Sequence, residues 1–168
     1  LLVEWKNHLI IALYGLSLMS EITFKTPENN KEFREYDLFR WEILRKPLGK
    51  DIASLKDEYE KSAFHLVGYK DQRIIACGRL HFNKTYEAQI RYMAVSKDLQ
   101  RAGIGKQVLK LLEKNAVENN AKKIVLNARD HAIDFYRISG YETLKKYNGS
   151  DTGIPHTTME KNISTSSI

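Results

Sequence analysis

The chain has 168 residues, 42% hydrophobic and 29% charged, a balance that supports one folded core and excludes a disordered or fibrous chain. Its 27 Lys and Arg residues are interleaved with 21 acids, so the formal charge of +6 forms no basic block and no nucleic-acid partner is expected. A single cysteine, Cys77, excludes an internal disulfide. In the run Ile74-Ile75-Ala76-Cys77 it reads as a small buried side chain rather than a nucleophile, and a reducing, cytoplasmic setting is expected.

Leu9 to Met19 is nearly all apolar and follows Lys6, as a short signal-peptide core would. It is too short to span a bilayer, Glu4 precedes it and no Ala-x-Ala follows, so no membrane association is expected. Residues 1–18 are expected to be an N-terminal extension with Met19 as the natural start; a helix packed on the domain is the other reading. One domain is expected over residues 19–163, with a polar, disordered tail at 164–168.

Glu21 to Lys25 alternates as a first strand, and Thr26-Pro27-Glu28 has the form of a helix start, with Thr26 as N-cap and Pro27 at the first helical position. Phe33, Tyr36, Phe39, Arg40, Ile43 and Leu44 then recur at three- and four-residue steps until Pro47-Leu48-Gly49 ends the helix. A charged, weaker helix is expected over Ser54 to Lys61. Phe64 to Tyr69 and Arg73 to Phe82 read as a hairpin turning at Lys70-Asp71-Gln72, and Glu87 to Val95 as a third strand. Beyond it come a helix over Lys106 to Glu118, a strand over Lys123 to Ala128 and a helix over Ala132 to Ser139 stopped by Gly140. Strands over Tyr141 to Lys145 and Thr157 to Ile163 complete the pattern. Strand-helix-strand units imply parallel pairing and hairpins antiparallel pairing. The fold class is therefore mixed α/β (α+β), one mixed sheet flanked by helices on both faces.

Between the third strand and its helix lies Gln100-Arg101-Ala102-Gly103-Ile104-Gly105. A helix N-terminus there presents unpaired N–H groups and a positive dipole end, and glycines let a phosphate approach the backbone. The plain alternative is a tight turn whose glycines relieve strain. Spacing excludes both the Gly-x-Gly-x-x-Gly and the Walker phosphate loops. Gln100, Gly103 and Gly105 match the Arg/Gln-x-x-Gly-x-Gly/Ala pattern, followed by the strand Ile124-Val125-Leu126-Asn127-Ala128, by Phe135-Tyr136 with Gly140-Tyr141, and by Asp151-Thr152-Gly153-Ile154-Pro155-His156-Thr157-Thr158-Met159. On these residues the chain resembles the GCN5-related N-acetyltransferase (GNAT) superfamily, and its ending is similar to that of the ElaA/YjcF-like branch.

The resemblance implies a central mixed sheet and an acetyl-CoA-dependent N-acetyltransferase, an enzyme moving acetyl from the CoA thioester directly to a primary amine. The acceptor would be a small-molecule or peptide amine, and the protein a monomer or homodimer. It places acetyl-CoA as co-substrate, its diphosphate on Gln100, Arg101, Ala102, Gly103, Ile104, Gly105 and Lys106, its pantetheine arm along Met93, Ala94 and Val95, and Asn127 beside that arm. Tyr136 is implied as general acid to the leaving sulfur, a role a phenol near pKa 10 can fill toward a thiolate near 8.5; the alternative is that Phe135 and Tyr136 are core residues. Where histone-acetylating relatives carry a basic glutamate this chain has Gln89, so the base is open between His156 and Glu87, with His81 on another run. Gln89 also sustains a rival reading, an acyl-CoA-binding regulatory module without turnover. A nucleic-acid-binding domain driven by net charge is a further rival. Arg40 and Arg45 could hold an acidic acceptor or be solvated helix charges. No spacing suggests a metal site.

Overall fold

The computed structural model describes residues 21–148 and 152–163. The N-terminal extension, the polar tail and Asp151 of the ending motif lie outside them. Seven strands form one sheet in the order β1-β2-β3-β4-β5-β7-β6, with β1 Thr23–Lys25, β2 Phe64–Lys70, β3 Arg73–Lys84, β4 Glu87–Val95, β5 Lys123–Arg129, β6 Glu142–Tyr147 and β7 His156–Asn162. The β4–β5 pair is parallel and the others antiparallel, which is the mixed sheet expected. The β2–β3 hairpin turns on Asp71 and Gln72, both at positive φ (50° and 62°), the geometry that matches the twist of the flanking strands.

Helix α1 spans Asn30–Leu44, and its start differs from the expectation at Thr26. The N-cap is Asn29, whose Oδ1 accepts from the N–H groups of Lys31 and Glu32 at 3.0 Å each. Glu32 in turn accepts from the Glu28 N–H at 2.9 Å. These reciprocal bonds satisfy the orphan donors of the first turn, so Pro27 is left ahead of the helix rather than inside it. The expected helix over Ser54 to Lys61 is also corrected: Ile52–Leu55 is a 3-10 turn, and turns follow to Ser62. Asp51 caps Ser54, while the next side chains point into ion pairs rather than along a helical face.

Alternate β3 residues serve the two sheet faces. Cys77, with Val67 and Ala94, packs against Tyr36, Phe33, Phe39 and Ile43 of α1. Helix α2, Ile104–Glu118, covers the other face with Ile104, Val108, Leu109, Leu112 and Ala116. It sits close because Gly78 has no side chain: a Cβ there would lie 2.7 Å from Leu112 Cδ1. Helix α3, Ile133–Ile138, is shorter than the run expected, since Asp130–Ala132 ahead of it is a 3-10 turn.

One irregularity positions the site. The β4–β5 ladder runs from Glu87↔Lys123 to Ile90↔Leu126 and stops. At Tyr92 the backbone takes φ 53°, and the β3–β4 register shifts between Cys77 and Arg79. The bulge keeps Ala94 and Val95 on β3, while Asn127, Ala128 and Arg129 continue along β7. The sheet therefore opens between β4 and β5 toward their C-terminal ends.

Candidate active site

The opening is flanked on one side by Met93, Ala94 and Val95 and on the other by Asn127, Ala128 and Arg129. Beyond Ile90 the β4 edge facing β5 has no ladder partner, so an extended ligand can pair with it as an added strand. At the end of β4 the chain turns through Lys97–Leu99, then takes Arg101 to φ 65° and Gly103 to φ 79°, and enters α2. Gly103 is the N-cap and supplies no side-chain acceptor, nor does the first turn hold an acid. The N–H groups of that turn thus face an exposed corner that Arg101 and Lys106 make electropositive. Gln100 turns back instead, its Nε2 donating to the Val95 carbonyl at 3.3 Å.

Tyr136 projects from α3 to this opening. Its hydroxyl is 3.9 Å from Met93 Sδ, and its ring packs edge-on against Phe135 and Tyr141. Burial pushes its pKa up to about 12. Asn127 Oδ1 accepts from the Thr158 hydroxyl at 2.9 Å, which orients the carboxamide and leaves its N–H donors unused among the described residues. His156 opens β7 directly opposite Arg129, and its Nδ1 lies 2.7 Å from the Ile154 carbonyl. A carbonyl only accepts, so Nδ1 carries the proton and the lone pair sits on Nε2.

Glu87 is not brought to this group. It begins β4, eight residues or roughly 26 Å of extended chain before Val95. Burial acts to raise its pKa, but hydrogen bonds from Asn83 and Lys123 prevail and hold the carboxyl below its usual range. His81 is also elsewhere, stacked on Tyr59 at 4.1 Å, with burial and then the Arg79 charge lowering its pKa to about 4. Among the described residues, no three His, Cys, Asp or Glu side chains gather as a metal site, and no helix is long and apolar enough to cross a membrane.

A sequence family described as "Acetyltransferase (GNAT) domain" matches residues 32–163. The chain is 30% identical over 134 residues to the "Uncharacterized N-acetyltransferase YjcF" of Bacillus subtilis, covering 80% of this chain and 95% of that protein. The chain belongs to the GNAT acetyltransferases. Among solved structures of similar fold, Escherichia coli ElaA superposes with TM-score 0.71 at 17% identity over 86% of this chain and all of that one. An aminoglycoside 6'-N-acetyltransferase complexed with coenzyme A superposes with TM-score 0.67 at 14% identity, over 86% of this chain and 97% of that one.

This GNAT acetyltransferase also holds a constellation that sequence reasoning missed. The guanidinium carbons of Arg40, Arg45, Arg79 and Arg91 all stand between 4.8 and 5.3 Å from the centre of the Tyr92 ring. Arg40 pairs with Asp37 and Glu60 at 2.6 and 2.5 Å, Arg79 with Asp57 and Glu60 at 2.6 and 2.5 Å, and Arg91 with Asp57 at 2.8 Å. Arg40 is therefore fully buried in internal pairs rather than presented to an acceptor. A signal did exist: Arg79 interrupts the apolar run from Ile74 to Phe82, and a charge on a buried strand demands a partner.

Proposed function

We propose that this acyltransferase moves an acetyl group from the CoA thioester directly to a primary amine bound at the β4–β5 opening. The observation that carries this is the convergence on one opening of an unpaired β4 edge, the uncapped α2 N-terminus and the Tyr136 hydroxyl. The N–H groups of Gly103 to Lys106, with Arg101, are suited to a diphosphate, and the edge from Met93 to Val95 to an amide-bearing arm. Acetyl-CoA, when bound, supplies an activated carbonyl. His156 Nε2 takes the proton that the amine nitrogen loses as the C–N bond forms, and Tyr136 gives a proton or hydrogen bond to the sulfur as the C–S bond breaks. A backbone N–H of the β4 edge stabilises the carbonyl oxygen. His156 is preferred to Glu87 as base because only His156 lies at the opening, with its lone pair set on Nε2.

The test pairs thermal unfolding with thiol release. Acetyl-CoA at about a hundredfold its Kd should stabilise the protein by about 2.7 kcal/mol, and a panel of amines should then release free CoA thiol. A missing thermal shift sinks the cofactor assignment. A shift without thiol release from any amine favours the acyl-CoA-binding regulatory module, a reading kept in view by Gln89.

A further inference from the structure

We propose that the acceptor amine carries an anionic group, a carboxylate or a phosphate, within a few ångströms of its nitrogen, and that Arg129 receives that anion. This inference rests on the amine-transfer reading above and names its substrate class.

Arg129 is the last residue of β5, half-buried on the far bank of the opening. In the β5–β7 register it stands directly opposite His156, so the two side chains leave the same face with Cβ atoms about 5 Å apart. A molecule whose nitrogen meets His156 Nε2 therefore has Arg129 beside it. Arg129 Nη2 donates to the Leu44 carbonyl at the end of α1 at 3.2 Å, and that is its one hydrogen bond among the described residues, from a group with five donors. It makes no ion pair among them. The contrast with its neighbours is sharp in chemical terms. Arg40, Arg79 and Arg91 each hold a carboxylate at 2.8 Å or less, and these pairs occupy Asp37, Asp57 and Glu60.

Arg129 also has a second cation near it. Burial, and then the charge of Arg45, lowers its pKa, while Arg45 itself is 5% exposed and reaches the Tyr92 hydroxyl at 3.5 Å. Holding the Leu44 carbonyl is a use for one N–H of Arg129, as a cap on the C-terminus of α1. It leaves the remaining donors in their planar fork, the form that takes a carboxylate or phosphate by two parallel bonds.

The experiment measures thiol release from acetyl-CoA with matched acceptors: glycine, glycylglycine and glutamate each beside its carboxamide, and phosphoethanolamine beside ethanolamine. The charged member of at least one pair should exceed its neutral partner in kcat/KM by about 10- to 100-fold, the worth of a charge-assisted hydrogen bond or two. Which arm responds distinguishes carboxylate from phosphate. In R129Q that ratio should fall to near unity with the loss in KM, and R129K should recover part of it. Retention of the acetyl-CoA thermal shift shows that the variants are folded. Ligand-observed NMR with CoA present supplies a readout free of turnover: N-acetylglycine should bind wild type better than N-acetylglycinamide, and R129Q should not discriminate. Equal use of charged and neutral acceptors, or a preference that survives in R129Q, overturns the proposal and leaves amine transfer standing. If no amine is acetylated, the amine-transfer reading fails on its own, and equal binding of the two N-acetyl compounds would then overturn the anion site as well.

Discussion

Tyr136 is a phenol kept protonated by its surroundings, with burial raising its pKa to about 12 and the Met93 sulfur, at 3.9 Å, the one hydrogen-bond partner of its hydroxyl among the described residues. Removing that oxygen leaves the packing against Phe135 and Tyr141 in place. Tyr136→Phe should therefore fold normally and lose about 10²-fold in kcat, within the range of a positioned general acid. Steady-state kinetics beside an unfolding curve check it, and an equally fast variant removes Tyr136 from that role. The wild-type rate should show no alkaline fall from Tyr136 below about pH 11. At this scale, the short motif around Phe135 and Tyr136 was enough to single out the tyrosine in the sequence. Arg129 was not legible, because its hydrogen-bond partner Leu44 lies 85 positions away and nothing local marks it.

Among the elements, the corner before α2 depends on two residues at positive φ, Arg101 and Gly103. A Cβ at Gly103 would meet nothing within 4 Å, so Gly103→Ala isolates backbone strain from crowding. We expect it to destabilise the fold by about 1–2 kcal/mol, the cost of a side chain in the left-handed region, and to lower Tm by several degrees in thermal unfolding. An unchanged Tm would mean that the corner relaxes, and the thermal shift by acetyl-CoA would then report whether the N–H groups keep their aim. The corner, the hairpin at Asp71-Gln72 and the helix α2 were all readable, since each rests on turn chemistry or apolar spacing within a few positions. The segment from Ser54 to Lys61 does not form the charged helix expected of it. Asp57 and Glu60 instead turn inward to Arg79, 22 and 19 positions away.

Across the whole molecule those inward charges join α1, the segment from Lys56 to Glu60, β3 and β4 around the Tyr92 ring. Burial opposes ionisation of Glu60, but hydrogen bonds and charge from Arg40 and Arg79 prevail and lower its pKa from 4.5 to about 2. A carboxyl lowered on folding stabilises the fold fully above its unfolded pKa, and that stability is lost as protons return. Denaturant unfolding should thus show stability falling as pH drops from about 4.5 toward 2, and Glu60→Gln should flatten that dependence. At neutral pH the same variant should cost about 3–5 kcal/mol, because it leaves Arg40 and Arg79 under-compensated in the interior. A small loss with an unchanged acid profile would show the network to be dispensable. By itself the sequence determined the order and kind of most elements, the mixed sheet with a helix on each face, and the family, because apolar period, turn residues and short motifs act over a few neighbouring positions. The tertiary structure alone decided that Tyr92 bulges and parts β4 from β5, that Glu87 stands at the far end from His156, and that Arg40, Arg79 and Arg91 are paired internally. These follow from strand register and charge pairing between residues distant in the chain, which no local pattern encodes.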